Sequence, residues 1–182
     1  MKIRNGFVSN SSSSSFIIAV PMCTSTLGEL QDYIFEDKEV FRNPYVWNVD
    51  TDTHGWPVST ITAIVFRDIS KQQPKTMEQL VAENCGGYTP EYEQADEDAR
   101  KEAGVTEHTM YDMEREDHNR LYERSEELRT EYSQDKIQAF MTQNPECFFF
   151  VVEYSDSDGE LWSAMEHGDL FENIPHIRIS HH

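Results

Sequence analysis

At 182 residues and 21.2 kDa, the chain is long enough to bury a core without help from disulfides or a structural metal. Its formal net charge of −19 argues against direct binding to nucleic acid or anionic lipid, because both need Lys and Arg to displace counterions from phosphate. Cys23, Cys85 and Cys147 are three in number, widely spaced and without a CxxC pattern, so reduced thiols are expected.

Lys2 and Arg4 are followed by a serine tract, SNSSSSS at 9–15, pressed against the apolar run Phe16–Val20. Five apolar residues before Pro21 are too few for a signal-peptide core, and no stretch reaches the length of a membrane-spanning helix. The tract has three physical readings: a linker, a loop between short strands at Lys2–Val8 and Phe16–Val20, or a displayed acceptor for a covalent group. Only eight residues precede Ser9, which weakens the first. As a loop, the hydroxyls and amides of Ser11, Ser12, Ser13 and Ser14 would offer a cradle for an anion.

Thr26 and Glu29 form a capping-box pattern, with Leu27, Leu30 and Ile34 at helical spacing, predicting a helix over residues 26–36. Asn43-Pro44 and the run from Asp50 to Pro57 read as loop. TITAIVF, at 60–66, is rich in β-branched residues and predicts a strand. Thr76 and Gln79 make a second capping box before a helix that Gly86 and Gly87 end. Thr89-Pro90 opens another helix, stopped at Gly104, and a start at Thr106 leads into one long helical segment to about Met141. Between Glu78 and Asp135 lie eighteen of the chain's 34 carboxylates. The spacing then reverts: CFFFVVEY at 147–154 predicts a strand, Asp156 to Gly159 a hairpin turn, Glu160–Met165 the return strand, and His176–Ser180 a further strand. The whole is expected to be one α+β domain over 1–182, with a largely antiparallel sheet made from the two ends of the chain and an acidic helical insertion at about 76–143.

Candidate chemistry gathers near the C-terminal end, where His167, His176, His181 and His182 accompany Glu166, Asp169 and Glu172. Extended backbone over 176–182 would place His176, Arg178, Ser180 and His182 on one face. His176 and His182 are candidate acid/base groups, Arg178 an anion clamp and Glu166 a supporting carboxylate. His167, His176, His182 and Asp169 are candidate ligands for a divalent transition metal, since imidazole with carboxylate suits such ions. Asp50 to Gly55 imitates the start of a calcium loop, but Ile61 stands where a bidentate Glu is needed. No phosphate-binding loop, dinucleotide fingerprint or nucleophile-elbow motif is present in the sequence. On the helical insertion, Glu114, Glu116, Asp117, Glu123, Glu126 and Glu127 form a candidate binding surface for a basic protein.

The opening RNGFVSNSSSSSFI, from Arg4 to Ile17, resembles the start of many small tailed-bacteriophage proteins that share GFVSNSSSSSF on otherwise diverse bodies. The segment from Met165 to Asp169, with Phe171 and Ile174–His182, looks like an ending found in the same group; together the two cover about a fifth of the chain. The resemblance implies a phage origin and a life in the cytoplasm of an infected bacterium, and carries no catalytic residue with it. Two functions follow as expectations: an accessory protein acting as an acidic interaction module on a host or phage protein, or a metal- or anion-dependent enzyme where the serine loop meets the C-terminal histidine strand. Oligomeric state is left open.

Overall fold

The computed structural model describes residues 13–42, 55–110, 113–156 and 159–181. In chain order the elements are β1 (Ser13–Pro21), α1 (Leu27–Phe35), β2 (Val40–Phe41), β3 (Trp56–Pro57), α2 (Val58–Ser70), α3 (Met77–Gly86), α4 (Pro90–Ala103), α5 (Glu107–Met110), α6 (Arg115–Gln143), β4 (Cys147–Ser155), α7 (Glu160–His167) and β5 (His176–Ser180).

A run of five apolar residues cannot alternate between core and water, so it must be buried on both sides. β1 solves this as the central strand of an antiparallel sheet ordered β4-β1-β5, with Ser13 opposite Ser155, Phe16 opposite Val152 and Arg178, and Ile18 opposite Phe150 and His176. Phe16, Ile18 and Val20 point to one face and pack with residues of α1, α2 and α7. Ile17 and Ala19 point to the other and pack with Leu80 and Val81 of α3, Ile137 of α6, and Ile177 and Ile179. The fold is therefore α+β, its antiparallel sheet built from the two ends of the chain with helices on both faces. The helices between residues 76 and 143 differ in role: α3 and the last turns of α6 close the second face, whereas α4 and the start of α6 form a small core of their own around Ala95, Ala99, Leu121 and Leu128.

Local signals set several helix ends. Both capping boxes form, Thr26 with Glu29 and Thr76 with Gln79. α4 starts at Thr89 with Pro90 in its first turn and ends at Gly104 in a left-handed conformation, φ 66°.

Elsewhere the structure corrects the expectations. TITAIVF is part of helix α2, not a strand, because Val58, Ile61, Thr62, Val65 and Ile69 recur at helical spacing and all are buried. Burying that stripe against the sheet outweighs the β-preference of the single residues. Glu160–Met165 is likewise helix α7, its Ala164 and Met165 buried on one side. The helix expected from Thr106 to Met141 is interrupted: α5 ends at Met110, and Met113 and Glu114 are not helical. Ser13, Ser14 and Ser15, expected in a loop, belong to β1, and Ser14 and Ser15 are buried. The two-residue pairing of β2 with β3 had no sequence signal. The expected Lys2–Val8 strand and the Asp50–His54 loop lie outside the described residues.

Ile61 is fully buried whereas Ala63, two residues on, is exposed, a difference that a strand's two-residue period forbids and a helix requires. Ile61→Ala is expected to cost about 2–5 kcal/mol of stability, and Ala63→Ser less than about 1 kcal/mol, measured by urea unfolding. Equal losses at the two positions would contradict the helical face.

Candidate functional site

Pairing of β1 with β5 brings the serine tract to the histidine strand. His181 Nε2 lies 2.8 Å from Ser15 Oγ, the His181 backbone N–H donates to Ser13 O at 3.0 Å, and Arg178 Nη2 donates to Ser14 Oγ at 3.3 Å. The Arg178 guanidinium also lies 5.7 Å from the Phe16 ring centre. Ser11, Ser12 and His182 lie outside the described residues.

Close approach of α3 fixes the imidazole. A Cβ on Gly87 would stand 2.2 Å from Ile179 Cγ2, 2.7 Å from Ser180 O and 3.1 Å from His181 Cε1, so only glycine fits. The next residue bridges to β5, Tyr88 N–H donating to Ser180 O at 2.6 Å. His181 borders an open cleft of about 950 Å³ that runs beside β4 and is also lined by Arg67, Lys71, Lys75, Gln79 and Trp162. Arg67 pairs with Asp68 at 2.9 Å, while Lys71 and Lys75 have no ion-pair partner among the described residues. The edge of β4 is partly covered here, since Gln72 Nε2 donates to Val151 O and Lys75 N–H to Phe149 O, each at 2.8 Å.

A second cluster forms where β4 ends. Asp156 follows the strand directly, and the helical form of α7 carries Glu166 and His167 to it. His167 Nε2 lies 3.6 Å from Glu166 Oε2 and 4.0 Å from Asp156 Oδ2, and the Asp156 backbone N–H donates to Glu166 Oε2 at 2.7 Å. Gly168 ends α7 against the Phe41 ring, where a Cβ would stand 2.7 Å from Cζ. The other metal candidates lie apart from this cluster. His176 sits opposite Ile18, whereas Ser155 sits opposite Ser13, five positions or about 17 Å away along β1. Its Nδ1 faces Ile174 O at 3.1 Å, and Asp169 lines a different cavity with Lys38, Phe41 and Asn173.

The acidic region is a helical hairpin braced by charge. Lys136 on α6 pairs with Glu91 at the start of α4 at 2.7 Å, and Arg124 grips both oxygens of Glu102 at α4's end, at 2.7 and 3.1 Å. Burial pushes the Glu91 carboxyl up, but the Lys136 ammonium and its hydrogen bond hold it below the ordinary value. Several carboxylates of the expected α6 surface are engaged within their own helix: Glu116 with Arg120 at 2.8 Å, Glu127 with Arg124 at 3.1 Å and Glu126 with Arg129 at 3.4 Å. Glu114 and Glu123 are exposed.

A groove of about 540 Å³ along α4 was not expected: it is lined by Tyr88, Tyr92, Glu93, Asp96, Glu97, Arg100, Lys101 and Val105. The Tyr88 and Tyr92 rings lie 5.4 Å apart, and the Tyr88 hydroxyl donates to Glu93 Oε1. Arg129 holds Tyr92 from behind, 4.6 Å from its ring centre, while donating to Gly87 O at 2.7 Å. Spacing gave a signal that the acid count obscured, since Glu93, Asp96, Glu97 and Arg100 recur along a single face of α4.

Gly87→Ala is expected to destabilise the protein by about 1–3 kcal/mol through overpacking, and to change the NMR shifts of His181 and Ser15. Wild-type stability and unchanged shifts would show that α3 can yield. No protein-family model, curated protein or solved structure matches this chain.

Proposed function

We propose that this chain is an accessory protein of a tailed bacteriophage, working in the host cytoplasm as an acidic interaction module that docks a basic host or phage protein through α4 and α6. One observation carries this reading: Tyr88 and Tyr92 share a groove with Glu93, Asp96 and Glu97. Tyrosine faces attract Lys and Arg side chains, and a carboxylate rim steers them inward. The Glu97–Lys101 contact, at 2.9 Å, is an exposed i,i+4 pair, and the Asp96–Arg100 contact, at 2.6 Å, is a half-buried one at the groove's edge. Such pairs are worth little in water and exchange readily for a partner's cations. The surrounding charge supports the same reading, with sixteen carboxylates against six Lys and Arg between Glu91 and Asp135.

A Lys/Arg-rich peptide of about fifteen residues, labelled for fluorescence anisotropy, tests the surface. Binding should weaken at least tenfold between 50 and 300 mM salt, and again on replacing Glu93, Asp96 and Glu97 together by Gln, Asn and Gln. Tyr88→Ala should weaken it further. Salt-independent binding, or binding indifferent to all four changes, would refute the module.

The Ser15–His181 contact beside the cleft favours a second reading, an anion-dependent enzyme in which His181 moves a proton and Lys71 and Lys75 hold the anion. It predicts that inorganic phosphate raises the melting temperature, and that Lys71→Ala with Lys75→Ala removes that rise. A phosphate effect that survives the double substitution, or none in the wild type, would dismiss this reading.

A further inference from the structure

The Asp156, Glu166 and His167 cluster contains a buried carboxylate that the described protein does not satisfy. Glu166 is 0% exposed; its Oε2 accepts the Asp156 N–H, but its Oε1 has no hydrogen-bond partner among the described residues. A charge buried in this way needs a compensating cation or a proton. Asp156 adds a second carboxylate, and one donor atom from each of the three residues falls within 4.8 Å of the others. Two carboxylates that close repel one another unless a positive charge lies between them.

We propose that Asp156, Glu166 and His167 bind one divalent transition metal ion, Zn(II) or Mn(II). A tetrahedral ion about 2.0–2.1 Å from each donor holds its ligand atoms about 3.3 Å apart. The separations around His167, 3.6 and 4.0 Å, exceed that value by less than about 1 Å, a difference small side-chain rotations can close. One imidazole with two carboxylates is a donor set for zinc, manganese or iron; magnesium and calcium prefer oxygen alone. Oε1 of Glu166 is available to make that ligand bidentate. With Glu166 bidentate the three residues supply four donor atoms, and expansion to five-coordination admits a water; with Glu166 monodentate the water takes the fourth tetrahedral position. The site differs from the α4 groove in residues and chemistry, so either proposal can fail without the other.

The test uses the untagged 182-residue protein in a Cys23→Ser, His176→Gln background, which removes an exposed thiol and a distant imidazole. After chelation and dialysis, Zn(II) alone and Mn(II) alone are titrated by calorimetry, and metal retained after desalting is measured by elemental mass spectrometry. One equivalent should bind, with a rise in melting temperature. His167→Gln should weaken binding at least tenfold, and Glu166→Gln should abolish it. Because Glu166 is buried, its variant could misfold; His167 is partly exposed, so its variant decides the matter independently. Failure of both ions to bind would overturn the proposal. Binding unchanged in His167→Gln would overturn it equally.

Discussion

Burial of Phe16–Val20 from both sides is the constraint on which the rest of the structure depends, with every residue of that run at most 3% exposed. A strand in that position can tolerate no free backbone polar groups, and pairing with β4 on one edge and β5 on the other supplies the partners. Each neighbour is then drawn into the same two-sided environment. Apolar residues of β4 such as Phe149 and Phe150 go to opposite faces, and helices must cover both. The cleft beside β4 and the Ser15–His181 contact follow from this layering, because they lie at its margin.

Charge is distributed in the opposite way from apolar area. The sheet layers bury few ionisable groups, and Glu166 is the buried carboxylate among the described residues. The acids accumulate instead on α4 and α6, helices whose shared core is small: Ala95 and Ala99 permit close approach, and Leu121 and Leu128 fill the seam. Polar contacts between its two helices supplement that seam: Lys136 with Glu91, Arg124 with Glu102, and Tyr132 with Asp98 at 3.1 Å. Its outer face is consequently left to solvent, while its inner face carries the seam and these contacts.

The parts legible in the sequence were those specified by local chemistry. Thr26, Thr76 and Thr89 announced helix starts, Gly104 a helix end, and the apolar runs at 16–20 and 147–154 the long strands. The parts not legible depended on what the residues pack against. β-branched residues in α2 disguised a helical stripe, which becomes visible only with the sheet face that it covers. Leu161 and Trp162 of α7 did the same, and a hairpin return over 160–165 would carry Glu166 and His167 away from Asp156 along β4, which hid the cluster that the helix assembles. His181 was placed on the face opposite Arg178 by its period, but its contact with Ser15 depends on the register between strands 166 residues apart.

That register has a consequence for how the molecule comes into being. β1 is made first yet finds both of its partners last: Ser13 waits for Ser155, and Ser14 for Ser180. Loop closure over such separations is slow compared with helix formation, so the central strand spends translation without its sheet. During that interval Phe16–Val20 is an apolar, β-prone segment flanked on its N-terminal side by Ser13, Ser14 and Ser15. Ser14 and Ser15 thus give up their hydration only when β1 pairs, at which point Ser14 meets Arg178 and Ser15 meets His181.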